Sequence, residues 1–255
     1  MDKLIRIVAV FVVLIIGSAA AVQAAEIKGF FAGSLKHTVE EVILPYEHSS
    51  GNKVTITYGT AGGAAAKVRN GEPADLVGAT AAQVAGLQKD GKVVGGTVVS
   101  LAKVGVGLLV RKGAPKPDIS TVDKFKAAML AARAISYTNP SLGGPAGIYV
   151  GKLLDQLGIG EQMKAKTKLS GAGAAVSTTV VNGEADIGFI MINEIVVDPR
   201  VDYVGPLPAP IQFYTTFAVG AVAASTQQEA DRAVIAVLAS PATLAVMKKL
   251  GFESP

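Results

Sequence analysis

The sequence predicts an α/β fold of two lobes, each a mainly parallel sheet flanked by helices, with hinge strands joining the lobes. Three observations support this prediction. Strand-like and helix-like segments alternate along the chain, a short motif occurs twice, and two segments rich in glycine or proline interrupt the alternation. Alternation of this kind is typical of parallel sheets covered by helices.

The N-terminus has the order of features found in a secretory signal peptide, predicted at residues 1–24. Lys3 and Arg6 precede an apolar run from Ile7 to Ile16, and small residues lead to a cleavage site after Ala24. A membrane anchor is the weaker interpretation, because the run is shorter than the roughly 20 residues that span a bilayer. We therefore expect the mature chain to be secreted.

Composition excludes several classes of function. The mature chain of about 230 residues can bury a core without disulfides, and the sequence has no cysteine for thiol chemistry or thiolate metal sites. The net charge is +4, the basic residues are scattered, aromatic residues make up 5% and tryptophan is absent. Nucleic-acid binding, which favours a basic stripe with aromatic residues, is not predicted.

The predicted elements alternate along most of the chain. Apolar alternation predicts strands, and apolar residues at helical spacing predict helices. The predicted strands are Glu26–Phe31, Lys53–Tyr58, Asp75–Gly78, Val104–Val110, Ala134–Tyr137, Thr167–Leu169, Asp186–Ile190 and Tyr214–Val222. The predicted helices are Leu35–His48, a short helix ending at Asn70, Ala81–Lys89, Val122–Ala132, Ala146–Leu157, one ending at Val181, Gln227–Leu238 and Pro241–Leu250.

A weak internal repeat indicates two similar lobes. Asn70-Gly-Glu-Pro-Ala-Asp-Leu76 recurs as Asn182-Gly-Glu-Ala-Asp-Ile187, and a helix start rich in glycine and alanine precedes each copy. With the interruptions near 105–117 and 204–210 as hinge strands, we predict lobe I at 25–105 and 206–255, and lobe II at 106–205.

Four predicted helix starts have exposed backbone N–H groups in common, because each follows a strand or loop and carries very small side chains. The first turn of a helix has unpaired N–H donors and a partial positive charge, so it can hold an anion without lysine or arginine. Two starts fall in each lobe, and an anion between the lobes could receive donors from both. The residues are Ser34; Thr60, Ala61 and Gly62; Pro145, Ala146 and Gly147; and Ala172 and Gly173.

Motifs for catalysis are missing from the mature sequence. Gly171-Ala-Gly173 lacks the third glycine of a dinucleotide fingerprint, and there is no phosphate-loop or nucleophile-elbow signature. His37 and His48 are the only histidines. Asp75 and Asp186, at equivalent positions of the repeat, are expected to form structural hydrogen bonds. We predict no catalytic residue, no cofactor and no metal site.

Four segments, in order, resemble the molybdate-binding-protein branch of the extracellular solute-binding proteins. They are Phe31-Ala-Gly-Ser-Leu35, Asn70–Leu76, Pro145-Ala-Gly-Ile-Tyr149 and Asn182–Gly188, and Val106–Pro115 resembles the strand between the lobes. The resemblance covers nearly all of the mature chain. It implies a type II periplasmic binding protein whose lobes close on a ligand and deliver it to an ABC importer.

The resemblance assigns roles to individual residues. It implies a Ser34 hydroxyl on the oxyanion, and backbone N–H donors at Ala146 and Gly173. Ala61 and Gly62 stand where the family has hydroxyl-bearing serines, with only Thr60 nearby, and Met191 stands where it has a tyrosine that contacts the ligand. These departures make the cleft more apolar.

The predicted function is therefore a periplasmic receptor for a small anion, with a molybdate- or tungstate-like oxyanion as the first choice and a small organic acid as the alternative. The expected partners are the anion and the membrane subunits of an ABC permease, and the protein is expected to be a monomer. A secreted enzyme on the same lobes is the alternative from a different class, and a sensor subunit is a third possibility.

Overall fold

The computed structural model describes residues 24–255, so the predicted signal peptide lies almost wholly outside the described residues. The strands are β1 (Glu26–Ala32), β2 (Lys53–Gly59), β3 (Leu76–Thr80), β4 (Val99–Arg111), β5 (Ile135–Thr138), β6 (Thr167–Ser170), β7 (Ile187–Met191), β8 (Val201–Pro206) and β9 (Tyr214–Ala221). The helices are α1 (Lys36–Ser50), α2 (Ala61–Arg69), α3 (Ala81–Lys89), α4 (Val122–Ala131), α5 (Pro145–Gln156), α6 (Gly160–Lys164), α7 (Gly173–Val181), α8 (Ile192–Val196), α9 (Gln228–Leu238) and α10 (Pro241–Lys249).

Two sheets share the long strand β4. The first has the order β2-β1-β3-β9-β4, and the second continues from β4 through β7 and β5 to β6, with β8 on β4 as well. Pairs among β1, β2 and β3, and among β5, β6 and β7, are parallel, whereas β4, β8 and β9 pair antiparallel. The predicted two-lobed α/β fold class is confirmed, and its antiparallel pairs come from β4, β8 and β9.

The chain changes sheets at the middle of β4. Gly105 pairs with Tyr214 of β9, and the next residue, Val106, pairs with Met191 of β7. The Gln212 side chain bonds both backbone groups of Val106, at 3.1 Å to the N–H and 3.0 Å to the carbonyl. Gln212 lies between β8 and β9, so its side chain adds to the backbone bonds that Val106 makes with Phe213 and Leu207 where the chain crosses back.

The repeated motif forms the same connection in each lobe. Gly71 and Gly183 follow α2 and α7 with φ angles of 80° and 76°, the left-handed conformation that ends many helices. Asp75 then accepts the backbone N–H of Lys28 at 2.8 Å, and Asp186 accepts that of Arg133 at 2.7 Å. Both aspartates tie neighbouring parallel strands together, so their role is structural.

The core lies between the sheets and their helices. Phe31 and Phe217 are fully buried in the first lobe, and Phe125 and Phe189 pack edge to face in the second. Within residues 24–255, no single helix is long and apolar enough to cross a membrane; only α9 and α10 together, bent by 50°, meet that requirement by length and composition.

Candidate functional site

The first turns of five helical segments meet at one cavity between the two lobes. They are the 3-10 turn at Gly33–Leu35 and the starts of α2, α5, α7 and α8. The first two belong to the first lobe and the others to the second. The cavity is lined by Ala32, Gly33, Ser34, Gly59, Thr60, Ala61, Thr138, Gly144, Pro145, Ala146, Ala172, Gly173, Ile190, Met191, Glu194 and Phe217.

Most of these helix starts have no side-chain cap. The 3-10 turn, α5, α7 and α8 begin after Ala32, Gly144, Ala172 and Met191, whose side chains accept no hydrogen bond from the first turn. Such turns leave backbone N–H groups without partners and concentrate positive partial charge. Among residues 24–255, no lysine, arginine or histidine lines the cavity. Its donors are therefore backbone amides, which suit a small anion.

The cavity is small. It encloses about 30 Å³, which by the same measure holds about two water molecules. Ile190, Met191 and Phe217 form an apolar wall, and Met191 is only 2% exposed. In this closed arrangement the site has room for a compact group.

The sequence-predicted residues line this cavity with two exceptions. Ser34, Thr60, Ala61, Pro145, Ala146, Ala172, Gly173 and Met191 all contribute to its wall, whereas Gly62 and Gly147 do not. The absence of a side chain at Gly147 has a packing reason, because a Cβ there would overlap the Thr138 carbonyl of β5. Gly62 lies at a contact between the lobes.

Backbone contacts hold the lobes closed on one side of the cavity. The Gly62 backbone N–H donates to the Gly143 carbonyl at 3.2 Å, and the side-chain amide of Gln83 donates to the same carbonyl at 3.3 Å. The two glycines touch so closely that a Cβ on Gly62 would lie 2.5 Å from the Cα of Gly143. The Gly62 amide therefore joins the lobes and is not directed to a ligand.

The two predicted hydroxyl donors already have acceptors. Thr60 donates to the Leu142 carbonyl of the other lobe and accepts the Gly63 N–H at 2.9 Å as the cap of α2. Ser34 donates to a carboxylate oxygen of Glu194 at 2.8 Å. A hydroxyl has one hydrogen to donate. In this arrangement neither side chain can also donate to an anion.

Glu194, which the sequence analysis did not single out, lines the cavity on the first turn of α8. Desolvation by the surrounding protein raises its pKa to about 7, although bonds from Ser34 and the Met191 N–H oppose that rise. Oε1 lies against Gly173, where a Cβ would be 2.3 Å away. A signal existed, since Glu194 follows a buried strand at its carboxyl end, where ligands bind in α/β sheets.

Asn193 adds a second bond between the lobes beside Glu194. Its side-chain amide donates to the Ser34 carbonyl at 2.6 Å, and it is 2% exposed. Ser34 is therefore bonded through its backbone and its side chain to α8 of the opposite lobe. By contrast, His37 and His48 are exposed on α1 and lie outside the cavity wall.

Comparison with known families agrees with this architecture. The model of the bacterial extracellular solute-binding proteins matches residues 27–253. The chain belongs to that family. Proteins named as molybdate-binding are among the relatives of this solute-binding protein, in line with the resemblance seen in its sequence.

Two curated proteins and one solved structure illustrate the range of its relatives. The molybdate-binding protein ModA of Azotobacter vinelandii is 27% identical over 92% of each chain. The aconitate isomerase of a Pseudomonas species is 30% identical over 82% of this chain and 80% of its own. The structure of the periplasmic molybdate-binding protein of Azotobacter vinelandii has a TM-score of 0.77 at 19% identity, covering 90% of this chain and 99% of its own. The family of this solute-binding protein therefore includes proteins named for different small anions.

Proposed function

We propose that this protein is the periplasmic solute-binding component of an ABC importer and holds a molybdate- or tungstate-like oxyanion between its lobes. The observation that carries the proposal is the convergence of five helix starts, from both lobes, on one cavity to which the described part of the chain contributes no basic side chain. The ligand-binding residues are those predicted ones that line the cavity, with Ala146 and Gly173 as backbone donors from the second lobe. The protein catalyses no reaction in this proposal.

The size of the cavity favours a compact ligand. A volume of about 30 Å³ suits a tetrahedral oxyanion better than a branched acid, which would need the lobes to open. A small carboxylate is the alternative ligand. The apolar wall at Met191 and the relative named aconitate isomerase favour it.

Closure of the lobes supplies the transport signal in this proposal. We propose that 25–105 and 206–255 move as one body and 106–205 as the other, as in hinge closure of periplasmic binding proteins. Bonds between the lobes, such as Asn193 to Ser34, then stabilise the closed cleft. The membrane permease would recognise the closed monomer.

A ligand panel tests the proposal. Mature protein is heated with molybdate, tungstate, sulfate, phosphate or small organic acids, and the melting temperature is recorded. Because a ligand that binds only the folded state stabilises it by mass action, molybdate or tungstate at about 100 times its Kd should add about 2.7 kcal/mol. A panel in which no anion raises the melting temperature would overturn the proposed function, and a response only to carboxylates would select the alternative.

Ser34→Ala should weaken oxyanion binding by roughly 1–3 kcal/mol, if the Ser34 hydroxyl reaches the ligand. Isothermal titration calorimetry with molybdate measures the change. Ser49→Ala is the matched control, because Ser49 is an exposed serine that bonds only the Tyr46 carbonyl on α1. Equal affinities of Ser34→Ala and the wild type would remove Ser34 from the binding site.

An enzyme is the second candidate, and Glu194 is the observation that favours it. A carboxyl with a pKa near neutrality can both take and return a proton at neutral pH. A relative named aconitate isomerase points to the same kind of substrate. Incubation with aconitate, followed by proton NMR, separates the candidates, since turnover supports the enzyme and stoichiometric binding supports the receptor.

A further inference from the structure

The carboxyl of Glu194 is an unexpected group in a site for anions. Among the described residues that line the cavity, it is the single charged side chain, and it is partly accessible from the cavity. Two negative charges would meet if an oxyanion entered beside an ionised Glu194. In a desolvated site, water does little to weaken that repulsion.

In the part of the chain that the structure describes, no neighbouring cation offsets the Glu194 charge. On β4, which packs against α8, Lys103 pairs with Glu253 and Arg111 is exposed. On β8, Asp202 pairs with Lys112, and Tyr203 stays neutral because desolvation raises its pKa to about 12. Desolvation raises the pKa of Glu194, and only the bonds from the neutral Ser34 hydroxyl and Met191 N–H are set against that rise.

The remaining helices at the cavity also leave Glu194 without a counter-ion. Lys36 on α1 pairs with Glu40, Lys67 on α2 pairs with Glu72, and Lys152 on α5 lies outside the cavity wall. The first turns of α7 and the 3-10 turn at Gly33–Leu35 carry no charged residue. A proton on Glu194 is therefore the simplest way to remove the repulsion.

The bond between Ser34 and Glu194 determines what that proton would do. Ser34 donates its one hydrogen to Oε2 of Glu194 at 2.8 Å. If Oε2 carries a proton, the direction of this bond can reverse, so that Glu194 donates and the Ser34 oxygen accepts. The Ser34 hydrogen can then turn to the cavity and bond the anion. One proton is taken from solvent, and no covalent bond changes elsewhere.

We propose that the site binds its anion together with one proton on Glu194, which frees the Ser34 hydroxyl to donate to the ligand. This inference rests on the proposed function, because it assigns the regulation of the same site. Anion uptake then depends on pH. Below neutral pH, Glu194 already carries the proton in the free site. Above neutral pH, Glu194 must take up one proton from solvent each time an anion binds.

Molybdate is the probe for the test, because it stays fully deprotonated at neutral and alkaline pH. Titration calorimetry in two buffers of different ionisation enthalpy measures the protons taken up with the anion. We expect uptake approaching one proton per molybdate at about pH 8.5, and an affinity that falls about tenfold per pH unit above neutrality. Binding without proton uptake, at an affinity independent of pH, would overturn the inference and leave the proposed function intact.

Glu194→Gln supplies the second arm of the test. Its amide can donate to the Ser34 oxygen as a protonated carboxyl would, so the variant should bind molybdate without proton uptake and more tightly than the wild type at about pH 8.5. Glu41→Gln, which makes the same change on the exposed face of α1, should keep the uptake of the wild type. Weaker binding by Glu194→Gln at alkaline pH would contradict the proposed exchange. If neither the wild type nor either variant bound molybdate at any pH, the proposed oxyanion function would instead be overturned.

Discussion

Gly62→Ala is expected to weaken anion binding by about two orders of magnitude or more, although residue 62 does not line the cavity. The added Cβ would lie 2.5 Å from the Gly143 Cα and 2.9 Å from the Leu142 carbonyl, both in the opposite lobe. Backbone cannot move aside as a flexible side chain can, so the lobes must stay apart. An anion then loses the second-lobe donors, each worth roughly 1.5–3 kcal/mol.

The free protein should tolerate this substitution. Gly62 is in the first turn of α2, and alanine favours a helix by up to about 1 kcal/mol over glycine. Calorimetry gives the affinity, and small-angle X-ray scattering shows whether the ligand still compacts the protein. Gly86→Ala is the matched control, because its Cβ would have only the end of the Arg69 side chain nearby, at 3.9 Å. Wild-type affinity in Gly62→Ala would show that binding does not require this closed contact.

The sequence allowed the helix starts to be predicted because their signal is local. A strand followed by tiny residues and then a helical pattern is visible in a few consecutive letters, as at Ser34 and Ala172. Those starts meet at the cavity because parallel strands present their carboxyl ends on one edge. Each copy of the repeated motif is also a short run of consecutive residues, so it could be recognised in the sequence. Asp75 and Asp186 have the structural role expected from their equivalent positions.

Short elements and contacts between the lobes could not be predicted in the same way. Helix α8 has only five residues directly after β7, too few for helical spacing of apolar residues to be recognised, so the predicted strand ended at Ile190 and no element was predicted at α8. That short length concealed the helical turn that places Glu194 in the cavity. Ser34 donates its hydroxyl hydrogen to Glu194, and Thr60 donates its own to the Leu142 carbonyl. Both acceptors are far from their donors in the sequence. The angle between the lobes, which no local pattern encodes, brings these groups together.

Glu194→Gln should stabilise the ligand-free protein at neutral and alkaline pH, by up to about 3 kcal/mol. The pKa of Glu194 is raised from 4.5 to about 7 in the folded protein by desolvation, and one pKa unit corresponds to about 1.4 kcal/mol. Between these two values the folded state holds a proton that the unfolded state has lost. The contribution of Glu194 to stability is therefore fully present below about pH 4.5, falls as the pH rises, and stays lost above about pH 7.

Denaturant unfolding of the wild type and Glu194→Gln across this pH range measures the difference. The two curves of unfolding free energy against pH should diverge between about pH 4.5 and about pH 7 and run parallel above it. Glutamine cannot ionise, so the variant keeps the stability that the wild type loses. Glu41→Gln, the same change at an exposed position of α1, is the control and should follow the wild type. A constant difference at all pH values would mean that the pKa of Glu194 is not raised in the ligand-free protein, and this prediction would fail.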